Sequence, residues 1–253
     1  WVLINGNQTC LLFLWYIITN RQAVGKMKPT DFIVKTIVTT ELIKKIADKN
    51  NIEMRDCYTG FKWIANEIRK SEGKQQYIGG GEESYGYLAG DFVRDKDAVI
   101  ATSLFAEAAA WAAEQGKTLY QVLKDIYTEF GLYKEKLVSI TKKGISGTEE
   151  INAMMARFRN TPPTEIAGSK VIEIRDYKAQ QARNLCDNTT SALQLPKSDV
   201  LQFFTADGTK VSVRPSGTEP KIKFYFSVNA DSNENVKAKL DKTMEEFSKF
   251  IGI

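Results

Sequence analysis

The run Gly79-Gly80-Gly81-Glu82-Glu83-Ser84-Tyr85-Gly86-Tyr87 places two carboxylates and a hydroxyl directly behind a short apolar stretch that ends at Ile78. Three glycines allow a sharp turn and a close approach of the backbone to a ligand, and carboxylates beside them accept hydrogen bonds from neighbouring hydroxyls. A sugar is a chemically sensible partner; a solvated polar turn with a glycine-rich exit fits the same residues. Just downstream, Arg94-Asp95-Lys96-Asp97 sets four alternating charges ahead of a helical pattern. Arg94 and Lys96 are placed to hold a phosphate or a sugar oxygen, and Lys96 becomes a proton donor if burial or a neighbour lowers its pKa. The plainer role of such charges is capping and solvation of a helix start.

A second constellation is Arg214-Pro215-Ser216-Gly217-Thr218-Glu219-Pro220-Lys221, between two strand-like runs. A guanidinium, two hydroxyls and a glycine that lets consecutive backbone N–H groups point into one concavity are what a phosphate monoester requires. Lys221 and Lys223 add positive potential. An ordinary connecting turn also uses Pro, Ser and Gly, but the arginine followed so closely by two hydroxyls favours phosphate binding. A weaker third site is Thr59-Gly60-Phe61-Lys62, at a strand exit opening a helix whose N-terminus attracts anions.

Composition narrows the chemistry further. The 253 residues contain no histidine, which excludes an imidazole base, a Ser/His or Cys/His pair and any zinc site with a histidine ligand. Cys10, Cys57 and Cys186 lie far apart without metal-ligand spacing, so no metal site is expected and reduced thiols in a cytoplasmic protein are the simplest reading. With 35 Lys+Arg against 31 Asp+Glu and no long basic run, neither nucleic acid nor an acidic membrane surface is an expected partner. The apolar run Cys10–Ile18 is nine residues long, well short of the roughly 20 that span a membrane, and reads as a buried helix. An opening at Trp1 inside an apolar stretch suggests a piece of something longer.

The elements that must position these residues fall into two groups. In the first half, β-rich runs at 2–4, 32–38, 54–58 and 77–78 alternate with helical patterns at 7–21, 40–50, 61–70, 97–115 and 119–130, as in an α/β domain with mainly parallel strands. Asp97 is placed to cap its helix, and Ile100, Leu104, Ala108, Trp111 and Ala112 share one helical face. Trp15, Trp63 and Trp111 read as core. A boundary near Gly131 gives domains 1–130 and 131–253. The second holds runs at 136–142, 171–175, 200–205, 210–213 and 221–228, helices at 148–160 and from Val236 to Ile251, and an Asp207-Gly208 hairpin signal. That order predicts a smaller α+β domain, a mainly antiparallel sheet with helices on one face.

The order and spacing of the Gly-Glu-Glu-Ser, Arg-Asp-Lys-Asp and Arg-Pro-Ser-Gly-Thr loops resemble the α-D-phosphohexomutase family, phosphoglucomutase/phosphomannomutase, over nearly the whole chain. The resemblance implies the α/β/α third domain and the TBP-like fourth domain of a four-domain enzyme. It implies that Glu82 and Ser84 bind sugar hydroxyls, that Arg214, Ser216, Gly217 and Thr218 hold the phosphate not being transferred, and that Lys96, Arg94, Thr59, Gly60 and Lys62 serve the sugar side. The implied reaction is an isomerase's transfer between hexose 1-phosphate and hexose 6-phosphate, glucose by preference, through a phosphoserine and a hexose 1,6-bisphosphate. Mg2+ would bind in the N-terminal half of the same polypeptide: the family's Thr-Ala-Ser-His-Asn-Pro and Asp-Gly-Asp-x-Asp-Arg loops are absent from this sequence, so the chain alone is expected to be inactive. Some members of the family place a histidine just after the Ser of this loop, where this sequence has Tyr85 and Gly86. A phosphopentomutase and a non-catalytic phosphosugar-binding module are the alternatives. The functional reading requires the arginine-led loop and the acidic loop to meet across a cleft.

Overall fold

Asn5 opens the first helix with a reciprocal cap: its side chain accepts from the Gln8 N–H at 3.0 Å, and the Gln8 side chain accepts from the Asn5 N–H at 3.0 Å. The structure, a computed structural model, describes residues 2–142, 144–217 and 219–251. It divides into two compact units, Trp1–Gly131 and Leu132–Ile253.

The first unit runs α1 (Gly6–Ala23), β1 (Asp31–Thr36), α2 (Leu42–Lys49), β2 (Glu53–Cys57), α3 (Phe61–Ser71), β3 (Gln76–Gly81), β4 (Tyr87–Ala89), α4 (Ala98–Glu114) and α5 (Leu119–Phe130). Its sheet has the order β2-β1-β3-β4, with β1 parallel to β2 and β3, and β4 antiparallel to β3. Strand β1 is buried along its whole length because helices cover both sides. On one side Phe32 and Val34 pack with Phe61, Ile64 and Ile68 of α3. Helix α1 packs on β3 and against α2, α4 and α5. The apolar run Cys10–Ile18 does lie inside α1 and is buried except at Trp15, and among the described residues no helix is long and apolar enough to cross a membrane.

Three expectations for this unit need correction. No strand forms at 2–4, where Val2 and Leu3 are 62 % and 96 % exposed and no neighbouring strand offers a ladder. Trp15, Trp63 and Trp111 are half-buried rather than fully buried, edge-on to Phe130, Tyr58 and Tyr16 respectively, with Trp63 packed against the edge of the α3 core. The glycines Gly79–Gly81 do not make the turn: they are the end of β3, and all three are buried. A Cβ on Gly80 would meet the Val34 carbonyl oxygen at 2.3 Å, one on Gly81 the Tyr87 ring at 2.5 Å, and one on Gly79 the Ile17 side chain at 3.0 Å. Close packing of strand against helix and neighbouring strand is their physical reason. The turn itself is 82–86, closed by Glu82 N–H donating to the Gly86 carbonyl at 2.9 Å.

The second unit runs β5 (Leu132–Thr141), α6 (Gly144–Asn160), β6 (Glu165–Ile166), β7 (Ser169–Asp176), β8 (Gln181–Asn184), β9 (Thr190–Ala192), β10 (Leu201–Thr205), β11 (Lys210–Pro215), β12 (Lys221–Ala230) and α7 (Asn233–Ile251). Its strands follow the order β5-β12-β11-β10-β7-β8-β9, with β6 beside β7, and every pairing is antiparallel. One face is apolar by strict alternation: Leu201 and Phe203, Val211 and Val213, Ile222, Phe224, Phe226 and Val228. Helices α6 and α7 cover it with Met155, Phe158, Leu240 and Phe247. The chain is thus an α/β/α domain followed by an α+β domain with helices on one side of an antiparallel sheet. Strands β8 and β9 are exposed except at Ala182, so they carry no apolar alternation from which they could be read.

At the β10–β11 hairpin, burial alone would raise the pKa of Asp207, but Lys239 at 2.8 Å, the Thr205 hydroxyl at 2.6 Å and the Thr209 N–H at 3.1 Å bring it from its ordinary 3.8 to about 2. A depressed carboxylate contributes stability above its unfolded pKa of about 3.9 and loses it as pH falls through the folded value. Asp207→Asn should cost the second unit about 1 kcal/mol at neutral pH, allowing for solvent screening at this partly exposed pair, and flatten its loss of stability between pH 4 and 2. Urea titrations followed on the β10 and β11 amide resonances read this out.

In the first unit, a Cβ on Gly6 would stand 1.8 Å from the Glu83 carbonyl oxygen, so the start of α1 is locked against the turn after β3. Gly6→Ala should destabilise that unit by about 1–3 kcal/mol. All four tryptophans, at 1, 15, 63 and 111, belong to it, so their fluorescence measures its unfolding alone.

Candidate functional sites

The carboxyl ends of the parallel strands β1, β2 and β3 are where ligands of open α/β sheets bind, and in this chain they carry Thr36–Thr40, Tyr58–Gly60 and Glu82–Gly86. Glu82 is 7 % exposed, and its Oε1 accepts from the Gly60 N–H at 2.7 Å. Gly60 has φ +106°, a conformation that favours glycine, and stands at the start of α3. The anion found at that helix N-terminus is therefore the protein's own Glu82, where the partial positive charge of the helix end stabilises it. The second carboxylate, Glu83, turns the other way: its Oε2 accepts from the Thr36 hydroxyl at 3.1 Å and the Thr39 hydroxyl at 3.4 Å. Burial raises its pKa, helped by the charge of Glu82 and opposed by the threonine hydroxyls.

Beneath this edge, Lys35 is fully buried, with its ammonium 2.7 Å from Asp56 and 3.1 Å from Glu41. Burial alone would lower its pKa; the two carboxylates more than compensate and raise it. The threonines at the β1 exit and this ion cluster were not foreseen. Their signal is Lys35-Thr36 and Thr39-Thr40 at the end of an otherwise apolar strand.

The foreseen residues of this unit separate into two places. Ser84 and Tyr85 are exposed at the tip of the turn, with Tyr85 held at φ +69°. Glu82 and Lys96 approach each other over Gly86, where an added Cβ would meet Glu82 Oε2 at 3.0 Å and Lys96 Cδ at 3.1 Å. Lys96 is 56 % exposed and pairs with Asp95 at 3.2 Å, so burial is not the factor that would make it a proton donor. Thr59, at the β2 exit, is half-buried. Lys62 and Arg94 instead line a groove of about 320 Å³ along α3 with Arg69 and Glu72, and Arg94 pairs with Glu72 at 2.5 Å. Asp97 caps α4 by accepting from the Val99 and Ile100 N–H groups at 2.8 and 3.1 Å.

In the second unit, the loop 216–220 joins β11 to β12, and the pairing of Pro215 with Ile222 fixes its base. Ser216 N–H donates to the Lys221 carbonyl at 2.7 Å, so that donor closes the hairpin instead of facing a ligand. Of the consecutive N–H groups expected to form a nest, the first is thus engaged. Thr218 lies outside the described residues. Gly217 is exposed, and a Cβ added there would meet nothing within 4 Å, so no steric need in this conformation calls for glycine. Arg214, Ser216 and Gly217 line a pocket of about 330 Å³ together with Thr148, Ile151 and Asn152 of α6, and Ser198, Asp199 and Glu219. The α6 residues and Ser198–Asp199 were not foreseen, because they come from distant segments without a motif. Lys221 pairs with Glu219 at 2.8 Å, which holds that carboxyl below the usual range.

Comparison with known proteins agrees with this division. Residues 5–130 match the family profile described as phosphoglucomutase/phosphomannomutase, alpha/beta/alpha domain III, and residues 150–243 the profile of the C-terminal domain of the same family. A phosphoglucomutase of Staphylococcus aureus is 41 % identical over 237 residues, 94 % of this chain and 42 % of that protein. One of Staphylococcus haemolyticus is 40 % identical over 204 residues, covering 81 % and 37 %. Among solved structures, the phosphoglucomutase parafusin of Paramecium in an open form superposes with a TM-score of 0.69 at 18 % identity over 98 % of this chain and 41 % of that one. A phosphoglucomutase/phosphomannomutase family protein of Burkholderia thailandensis gives 0.55 at 13 %, over 98 % and 42 %. The chain therefore spans about 42 % of the length of the Staphylococcus aureus relative. Two consecutive domain matches, in the family's order and each on one compact unit, place this chain in the phosphoglucomutase/phosphomannomutase family as its domain III and C-terminal domain.

Proposed function

We propose that the chain is the substrate-recognising part of a phosphoglucomutase that interconverts glucose 1-phosphate and glucose 6-phosphate, the second unit gripping the phosphate that stays put and the first unit reading sugar hydroxyls. The observation that carries this reading is the pocket at the β11–β12 loop, where a guanidinium and hydroxyls line one cavity at the end of a rigid sheet. Charge-assisted hydrogen bonds of about 1.5–3 kcal/mol each make such a lining an anchor for a phosphate dianion. The 41 % identity to a phosphoglucomutase supports glucose as the sugar.

Within the first unit, Oε1 of Glu82 is occupied by the Gly60 N–H, which leaves Oε2 and the Ser84 hydroxyl to accept and donate to the sugar. Gly60 holds Glu82 in place with Thr59 next to it in the chain, Lys96 flanks it, and Lys62 and Arg94 add positive charge along α3. A remote anchor of this kind helps the reaction by fixing the position of the reacting end. Phosphoryl transfer itself, through a phosphoserine and a hexose 1,6-bisphosphate, is the task of a serine loop and a Mg2+ loop that this sequence does not contain. Among the described residues no group of three His, Cys, Asp or Glu side chains is placed to hold a metal ion. The expected setting is a cytoplasmic enzyme in which the N-terminal half of the same polypeptide completes the site.

Arg214→Ala should weaken glucose 6-phosphate binding about 10- to 100-fold, the equivalent of one charge-assisted contact, with an unchanged thermal transition. Equal calorimetric affinity in variant and parent would refute the anchor. The purified 253-residue chain should give no glucose 6-phosphate from glucose 1-phosphate in a coupled assay. Measurable turnover by that chain would show that the transferring group is here after all.

A further inference from the structure

The pocket at the β11–β12 loop is larger and chemically more mixed than a phosphate receptor requires. Its Arg214, Ser216 and Gly217 side suits an oxyanion, but the rest of its wall brings two carboxylates, Asp199 and Glu219, beside Thr148, Asn152 and Ser198. Carboxylates facing a phosphate dianion are unfavourable, whereas they are good acceptors for hydroxyls. Asp199 is held by its Oδ1, 2.5 Å from the Arg159 guanidinium, which is itself tied to Asp176 at 3.0 Å, so its position is fixed from behind. Thr148 and Asn152 are one helical turn apart, on the same face of α6, and both are exposed. The Asn152 amide and the hydroxyls of Thr148 and Ser198 make no hydrogen bond to any other described residue. Ile151 and Met155, between and below them, are buried in the core, which sets the helix rigidly over the loop.

We propose that Thr148, Asn152 and Asp199 form a hydroxyl-reading wall, so that the second unit recognises the part of the sugar adjoining the remote phosphate as well as the phosphate itself. The ligand class is a hydroxyl-rich phosphate monoester, its phosphate on the Arg214 side and the neighbouring hydroxyls on the α6 side. An amide that both donates and accepts and a carboxylate that only accepts match a hydroxyl, which does both. A cavity of about 330 Å³ falls at the lower end of the range for small-molecule sites, room enough for more than a bare anion. This inference rests on the phosphate reading of the same pocket and extends recognition of the sugar to a unit that the carboxylate-bearing turn after β3 does not belong to.

The test compares two ligands on the full 253-residue chain: inorganic phosphate and glucose 6-phosphate, titrated by NMR on the resonances of β11 and α6. Asn152→Ala should weaken glucose 6-phosphate about 5- to 20-fold and leave inorganic phosphate within twofold; Thr148→Val should act in the same direction. Both positions are exposed, so unchanged melting is expected, and two variants guard against a local defect in either. Equal weakening of both ligands makes these residues phosphate contacts and overturns the proposal, as does no change for either ligand. Arg214→Ala separates the two claims: if it leaves inorganic phosphate binding intact, the phosphate reading fails and this one with it. If it abolishes that binding while Asn152→Ala and Thr148→Val are silent, only the hydroxyl wall falls.

Discussion

The hydrogen bond from the Gly60 N–H to Glu82 is the tie on which the first unit's site depends. It joins the exits of β2 and β3 across the intervening β1, and it places a buried carboxylate on a helix N-terminus, where the partial positive charge of the helix end favours it. Glu83, reaching back to Thr36 and Thr39, ties the same turn to the exit of β1. With both carboxylates so engaged, the tip residues Ser84 and Tyr85 are presented to solvent on a base that cannot slide. The glycines of β3 make this possible, since side chains there would push α1 and Tyr87 away from the strand.

The second unit reaches a comparable rigidity by other means. Its site stands at the end of an antiparallel sheet whose apolar face is sealed by two helices, and the strand register, not a network of carboxylates, fixes Arg214. Helix α6 does double duty. Its inner face fills the core with Met155 and Phe158, and an adjoining face carries Thr148 and Asn152 into the pocket.

Much of this was legible in the residues. The helix ending at Phe130, the Asp207-Gly208 hairpin, the Asp97 cap and the change from parallel to antiparallel order follow from local rules of capping, turn chemistry and periodicity. Motif order pointed to both loops. What failed was whatever depends on distant neighbours: glycine reads as a turn former until Val34, Tyr87 and Ile17 are seen to crowd it. Strands β8 and β9 are invisible because their exposed polar residues lack a buried face. Thr148, Asn152 and Asp199 carry no pattern, since they meet only when α6 folds over the sheet.

The Ser216 N–H, engaged by the Lys221 carbonyl, bears on how the proposed phosphate anchor could evolve. A cradle of main-chain amides grips any oxyanion and is blind to point mutation, because every residue but proline supplies the same N–H. Here one of those amides is withdrawn, and the proposed grip would rest more on side chains, each replaceable by a single codon change. On the proposed reading, ligand preference at this hairpin would change one substituent at a time while the strand pairing that holds the loop stays untouched.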